Sequence, residues 1–306
     1  MHFQTTDVHW PWHPGAPTAG IFVSPQRRAA YYQQEGRLGH RPDRGQRTAD
    51  NLASLEIGRA DFFDVARRLY DEVMAHQDYQ LGQFVERLKA TGEWDNTLLI
   101  VAADHGTGQM NGVFDRDIDD RASALFNRRY RIPLIIVWPD HIAPGQRFSD
   151  PVSMIDMLPT ILELAGLPPA DPSQGQSLAP LLLGEQGWEP RPVIIDEFYI
   201  DDEDTGEMSG SLTMIDGRWR AMLRVRSSAA GPPPEGAPPR LQLYDMWDPL
   251  GGRVNDRYPE LVEKYTGVLE DVWSAHEMLG DRFSRSGDSL LTSDQLRTLR
   301  ALGYIR

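Results

Sequence analysis

A short apolar run in the first half of the chain is followed directly by an acid, an imidazole and a glycine. Residues 97–103 are mostly apolar and partly β-branched, which predicts a buried parallel strand. Ligands of open α/β sheets bind just beyond the carboxyl ends of such strands. Asp104 and His105 follow the run directly, and Gly106 allows a sharp turn or a close approach to a ligand. A polar strand end with a turn glycine explains the same pattern, so the motif alone leaves both interpretations open.

The segments around this run follow the order of an α/β protein. Apolar residues recur every three or four positions over residues 61–91, which predicts a helix. A helix followed by a strand forms half of the crossover unit of a parallel sheet. A second buried strand is predicted over residues 132–138, and helices over residues 153–164 and 177–183. We therefore expect a mostly parallel sheet flanked by helices.

The character of the chain changes after residue 190. Short strand patterns separated by turn signals indicate a small antiparallel sheet, followed by helices. We expect an α/β core over residues 1–190 and a small C-terminal α+β subdomain over residues 191–306. Within the core, residues 1–6 are a candidate strand, and residues 13–58 are interpreted as a long surface excursion. In the subdomain, strands are predicted over residues 193–199, 212–215, 218–225 and 241–244, and helices over residues 260–278 and 294–302.

The 306 residues carry a formal net charge of −14 and no cysteine. The acidic balance argues against a nucleic-acid or anionic-membrane partner. It still permits an anionic substrate, because a bound divalent cation and a few local arginines can reverse the field inside a pocket. The lack of cysteine excludes disulfides, thiolate metal sites and cysteine nucleophiles within these residues.

Three places carry side chains suited to a metal or an anion. Asp7 and His9 pair a carboxylate with an imidazole, a combination that hard divalent cations accept. Asp104 and His105 form a second such pair, which supplies at most two ligands, so a metal needs partners from elsewhere in the fold. The third place is a basic cluster whose guanidinium groups suit phosphate or sulfate. Its members are Arg121, Arg128, Arg129 and Arg131. Packing of His9 in a loop and ion pairs of the arginines with nearby aspartates explain the same residues without catalysis.

These and other segments resemble, in the same order along the chain, the later half of a sulfatase of the alkaline phosphatase superfamily. Asp7-Val8-His9-Trp10-Pro11 is similar to that family's strand ending in Asp-x-His-x-Pro, and residues 95–106 resemble its DNT…DHG strand. Together the similar segments cover most of residues 1–9 and 61–306 and are specific in combination. The others are Tyr70-Asp71-Glu72-Val73 with Asp78-x-x-Leu81-Gly82, Arg131-Ile132-Pro133-Leu134, residues 153–166, Gly175-x-Ser177-Leu178-x-Pro180, Leu243-Tyr244-Asp245 and residues 296–304.

The resemblance implies a fold, a reaction and site residues. It implies an alkaline-phosphatase-like α/β fold and hydrolysis of a small-molecule or carbohydrate sulfate ester. Asp104 and His105 would bind a divalent cation, usually calcium in this family, and His9 would contact the sulfate or act near the leaving group. Arg121 falls near the position of the family's substrate-binding lysine and would help to neutralise the ester oxygens.

Two parts of a complete sulfatase do not occur in these residues. The family carries a pair of aspartates on its first strand and a nucleophile in a Cys-or-Ser-x-Pro-x-Arg motif, where the Cys or Ser is oxidised to formylglycine. Ser24-Pro25-Gln26-Arg27 follows the His9 motif, which is the reverse of the family's order. We therefore expect an N-terminally truncated α/β core with little activity alone. Its strands at residues 1–6 and 97–103 should border an exposed apolar surface.

Two other functions fit the same residues. A non-catalytic sulfatase-like binding module needs no nucleophile, but it must fold alone and be monodisperse. A phosphodiesterase or phosphotransferase is the second alternative, because the same superfamily scaffold serves these reactions. The sulfatase-like segments of the C-terminal half favour a sulfate ester.

Overall fold

The computed structural model describes residues 2–3, 5, 8–9, 12–38, 59–106, 130–170, 174–202, 207–226, 240–248 and 252–283. The chain forms two compact units. The first comprises Met1–Pro190 with Asp248–Gly252, and the second comprises Arg191–Trp247 with Arg253–Arg306.

The described part of the first unit contains helices and one pair of strands. Short 3-10 helices at Trp94–Asn96 and Met154–Asp156 precede β1 and α3, respectively. The longer elements are α1 (Pro25–Leu38), α2 (Arg59–Ala90), β1 (Leu99–Ala102), β2 (Leu134–Val137), α3 (Met157–Leu164) and α4 (Ala179–Leu183). The predictions of helices at residues 61–91, 153–164 and 177–183 are confirmed, as is the existence of both strands.

Helices α1 and α2 share a hydrophobic core. Tyr31 of α1 stacks on Phe62 of α2 with 4.8 Å between ring centroids, and Trp12 and Val23 are buried in the same cluster. The interpretation of residues 13–58 as a surface excursion is therefore wrong for the described part, which ends at residue 38. Helix α1 has few apolar side chains and packs through aromatic rings, so its sequence shows no clear apolar period. Residues 2, 3 and 5 are not in a strand, and the other positions of the predicted strand at 1–6 lie outside the described residues.

Strands β1 and β2 pair antiparallel, with Leu99 opposite Val137 and Ala102 opposite Leu134. The prediction that the run at residues 97–103 is a parallel strand is therefore wrong for this pairing. A continuous apolar run indicates cover on both faces of a sheet, but it does not encode the direction of the neighbouring strand.

A described hydrophobic cluster packs on one face of this strand pair. Ile100, Leu134 and Ile136 pack against a cluster built on α3 and α4, whose members are Met157, Leu178 and Leu182. The opposite face carries apolar side chains that belong to none of the described hydrophobic clusters, and these are Leu99, Val101, Ile135 and Val137. Ile135 on this face is 55% exposed, whereas Leu99, Val101 and Val137 are half-buried.

A buried polar network holds α3 to the segment before α4. Both carboxylate oxygens of the buried Asp156 accept backbone hydrogen bonds, one from Ser153 and one from Gln176, each at 2.8 Å. The hydroxyl of Thr160 accepts the backbone N–H of Leu178 at 2.8 Å. Asp156 and Thr160 therefore have a structural role, because buried polar groups need hydrogen-bond partners.

The second unit is a four-stranded antiparallel sheet with a helix packed on it. The strands follow chain order in the sheet, and Tyr265 and Leu269 of the helix are buried against the sheet residues. The elements are β3 (Val193–Asp202), β4 (Glu207–Asp216), β5 (Trp219–Arg226), β6 (Leu241–Asp245) and α5 (Pro259–Phe283), with a 3-10 helix at Asn255–Arg257. The predicted antiparallel sheet and its first helix are confirmed, and the predicted helix at residues 294–302 lies outside the described residues.

Candidate functional site

Asp104 and His105 lie two and three residues beyond the carboxyl end of β1 and form an exposed pair. Asp104 Oδ1 accepts the backbone N–H of His105 at 2.9 Å, which fixes the carboxylate at the turn. Asp104 Oδ2 then lies 3.8 Å from His105 Nε2, with the side chains 57% and 59% exposed. Two ligands of one cation can have this separation, because cation–oxygen distances in calcium sites are about 2.3–2.6 Å.

The imidazole of His105 is held in a tautomer that suits a metal. Its Nδ1 lies 2.9 Å from the carbonyl oxygen of Gly106. Because a carbonyl only accepts hydrogen bonds, the proton of the neutral ring belongs on Nδ1, which leaves the lone pair of Nε2 for a ligand. The carboxylate of Asp104 and Nε2 of His105 are therefore suited to bind a divalent cation, and they are two ligands.

The described residues do not supply a complete set of metal ligands. They contain no group of three or more His, Asp or Glu side chains arranged to hold a metal ion, whereas calcium takes six to eight oxygen ligands. Asp7 and three members of the predicted basic cluster, Arg121, Arg128 and Arg129, lie outside the described residues, and Arg131 is exposed.

His9 is exposed on a turn that is fastened to the core of the helix pair. The indole Nε1 of Trp12 donates a hydrogen bond to the carbonyl of Val8 at 3.1 Å, and the carbonyl of Trp12 accepts the hydroxyl of Tyr32 at 2.8 Å. Trp12 itself is buried and meets Tyr70 of α2 edge-on at 5.6 Å. The backbone on either side of His9 is thereby held to both helices.

Sequence reasoning missed the role of Glu72, a fully buried acid on α2. Its Oε1 accepts the backbone N–H groups of Phe22 and Val23 at 2.8 and 2.7 Å, and its Oε2 accepts Nη2 of Arg28 at 2.6 Å. Glu72 thus fixes the segment before α1 to α2. A signal existed in the sequence, because Glu72 lies three residues after Leu69, within the apolar stripe of the helix.

Comparisons with known proteins identify the family of this chain. The family model "Sulfatase" matches residues 1–167. An arylsulfatase K of Xenopus laevis is 26% identical over 218 residues, which cover 67% of this chain and 37% of that protein. An N-acetylglucosamine-6-O-sulfatase of Bacteroides thetaiotaomicron is 33% identical over 110 residues, which cover 35% of this chain and 18% of that protein. The chain therefore spans well under half the length of these relatives.

A solved structure shows the same fold. The phosphonate monoester hydrolase of Silicibacter pomeroyi superposes with a TM-score of 0.54 at 20% identity, covering 89% of this chain and 57% of that one. The expected alkaline-phosphatase-like α/β fold class is confirmed by such neighbours.

Because the family model matches more than half of the chain, this chain belongs to the sulfatase family. Among the helices that the structure describes, none is both long and apolar enough to cross a membrane.

Proposed function

We propose that this chain is the C-terminal portion of a sulfatase that hydrolyses a sulfate ester with the help of a divalent cation. The observation that carries the proposal is the pair formed by Asp104 and His105 just beyond β1. One carboxylate oxygen and one imidazole nitrogen are 3.8 Å apart there, and in the neutral ring the hydrogen bond of Nδ1 to the carbonyl of Gly106 leaves the lone pair on Nε2. Such a pair supplies two of the ligands that a cation needs.

Each predicted site residue has a role in this proposal. Asp104 and His105 would hold the cation, with calcium the expected ion, and a bound cation polarises an ester oxygen and neutralises developing charge. His9 would contact the sulfate or act near the leaving group, and Arg121 would donate hydrogen bonds to the ester oxygens. The nucleophile, expected to be formylglycine, would come from a segment outside these 306 residues.

The exposure of Ile135 on the second face of the β1–β2 pair supports the proposal of an incomplete core. A sheet with apolar side chains on both faces is normally covered on both, yet Val101 and Ile135 belong to none of the described clusters. The relatives are also much longer than the matched region. We therefore propose that residues 1–190 form part of a larger α/β core, that residues 191–306 form a C-terminal subdomain, and that the chain has little activity alone.

For the substrate, we propose a carbohydrate sulfate ester. A relative that is 33% identical over 110 residues is named for removing a 6-O-sulfate of N-acetylglucosamine. The alternative from another class is a non-catalytic binding module, which needs no nucleophile. Phosphate-ester or phosphonate hydrolysis is the alternative within the enzymes.

The test begins with the gene sequence upstream of Met1. We expect an in-frame segment that contains Cys-or-Ser-x-Pro-x-Arg, and the chain extended by that segment should turn over 4-nitrophenyl sulfate faster than 4-nitrophenyl phosphate or a phenylphosphonate ester. Asp104→Asn should lower turnover by at least about a hundredfold. Asp150→Asn, a change at an exposed acid, serves as the matched control and should leave turnover unchanged.

Two results would contradict the proposal. Turnover of the phosphate or phosphonate ester faster than that of the sulfate ester would identify the protein as a phosphate-ester or phosphonate hydrolase. A well-folded extended chain that turns over none of the three substrates would favour the binding module.

A further inference from the structure

Trp247 is a large apolar side chain with 74% of its surface exposed. It lies two residues after the end of β6. Trp219, at the start of β5, is the register partner of Asp245, the last residue of β6. One end of the sheet therefore brings together the start of β5 and the end of β6. Arg218 and Trp219 lie at or just before the start of β5, and Asp245 and Trp247 lie at or just beyond the end of β6.

Arg218 is fixed between two indoles by a buried acid. Its Nε donates to Asp245 Oδ1 at 3.2 Å and its Nη2 donates to Asp245 Oδ2. The central carbon of the guanidinium lies over the ring of Trp219 at 4.7 Å and over the ring of Trp247 at 5.5 Å. Asp245 Oδ1 also accepts the backbone N–H of Trp247 at 3.1 Å. One carboxylate thus holds both the guanidinium of Arg218 and the backbone of Trp247.

Two chemical features of this arrangement remain available to a ligand. The first is the largely exposed ring of Trp247, a flat apolar surface. The second is Nη1 of Arg218, which donates to none of the described residues, since the bonds to Asp245 use Nε and Nη2. A flat apolar surface beside guanidinium N–H donors suits a ring with an apolar face and an anionic substituent.

We propose that Trp247 and Arg218 form a saccharide subsite, in which a pyranose ring stacks on the indole and its sulfate accepts hydrogen bonds from Nη1. This inference rests on the proposed function for the class of ligand. A protein partner fits the surface less well, because a stable protein interface buries about 800 Å² on each side. In the second unit, Val268 is the other exposed large apolar side chain among residues 191–197, 210–225, 240–247 and 253–275, for which side-chain exposure is described.

The experiment measures binding of N-acetylglucosamine 6-sulfate to the 306-residue chain by isothermal titration, with the Nε1–H resonance of Trp247 followed by NMR. Unsulfated N-acetylglucosamine and inorganic sulfate are the comparison probes. We expect the sulfated sugar to bind most tightly and to shift the Trp247 resonance. Trp247→Ala and Arg218→Gln should each weaken its binding by about tenfold.

Trp94→Ala is the matched control. Trp94 also lies beneath a cation, with Lys89 Nζ 5.8 Å from its ring, but that lysine pairs with the exposed Glu86 rather than with a buried acid. The control should bind the sulfated sugar as the unmodified chain does. Because Trp247 is so exposed, its alanine variant should keep the melting temperature of the unmodified chain.

Unchanged binding by Trp247→Ala would overturn the inference. So would a concentration-dependent dimer that Trp247→Ala abolishes, because that result would assign the surface to a second copy of the chain. The binding assay needs no catalysis. Binding that depends on Trp247 in a protein whose extended form lacks sulfatase activity would refute the proposed function and leave this subsite standing.

Discussion

The indole Nε1 of Trp12 donates a hydrogen bond to the carbonyl of Val8 at 3.1 Å. This bond closes the turn that carries His9. Trp12 is also buried in the core of the helix pair. The position of His9, which we propose contacts the sulfate, therefore depends on the packing of Trp12.

Replacing Trp12 by phenylalanine should loosen His9. The variant keeps an aromatic ring in the core but lacks the donor to Val8. We expect the backbone order parameter of His9 from ¹⁵N relaxation to fall from the range of a rigid backbone, about 0.85, toward 0.6 or below. Phe62→Leu is the control, because it weakens the same cluster without touching the turn. An unchanged order parameter in Trp12→Phe would show that the bond does not hold His9.

Glu72→Gln should destabilise the first unit. The variant keeps an acceptor for Phe22 and Val23 but leaves Arg28 without its charged partner. Breaking one side of a buried ion pair costs about 3 kcal/mol, measurable by urea unfolding. The exposed pair of Lys89 and Glu86 is the comparison, and Glu86→Gln should cost under about 0.5 kcal/mol.

A double-variant cycle checks the same ion pair. If Glu72 and Arg28 are coupled, the combined variant Glu72→Gln/Arg28→Gln should lose less stability than the sum of the single variants. Strictly additive losses would show that the 2.6 Å contact contributes nothing specific.

Gly175→Ala should be strongly destabilising. A Cβ at this position would lie 1.9 Å from the carbonyl oxygen of Ile155, and a backbone atom cannot move away without disturbing the network around Asp156. We expect a loss of about 2–3 kcal/mol or more in the free energy of unfolding. Gly82→Ala is the control, because nothing lies within 4 Å of the added atom, and alanine in a helix should gain about 0.5–1 kcal/mol. A loss in Gly175→Ala no larger than 0.5 kcal/mol, about the effect of a surface change, would contradict this packing.

Tyr265 should resist alkaline titration. Burial raises the pKa of its hydroxyl, and the hydrogen bond to Asp216 at 2.9 Å, together with that carboxylate's charge, raises it further. A raised pKa in the folded state stabilises the protein fully below the ordinary tyrosine value of about 10, and this contribution falls as pH rises toward the folded pKa. Tyr265→Phe should therefore lose less stability than the unmodified chain above about pH 10, as measured by urea unfolding. Equal losses in the two proteins would contradict the assignment.

The sequence predicted local elements well and their partners less well. The apolar period of α2 and the turn-bounded strands of the second unit are local signals, so they could be read directly. The antiparallel pairing of β1 with β2 depends on residues far apart in the chain. The packing of α1 depends on the contact of Tyr31 with Phe62, which is also distant in sequence. Such non-local contacts leave no periodic trace.

The sequence predicted where Asp104 and His105 lie, whereas their role as metal ligands stays a prediction. Asp104 and His105 lie where the strand motif predicts, beyond the end of β1. The tautomer of His105 could not be inferred from sequence, because it depends on the hydrogen bond to the carbonyl of Gly106. Glu72 was missed because an isolated acid on an apolar stripe becomes meaningful only when Arg28 and two backbone N–H groups converge on it.

The most direct test of the central claim is the turnover of 4-nitrophenyl sulfate by the 306-residue chain alone, with calcium present. If the chain holds only the Asp104–His105 part of a sulfatase site, we predict turnover indistinguishable from the buffer control. Turnover that is clear of the control and abolished by Asp104→Ala would contradict the claim, because it would mean that the nucleophile lies within these residues.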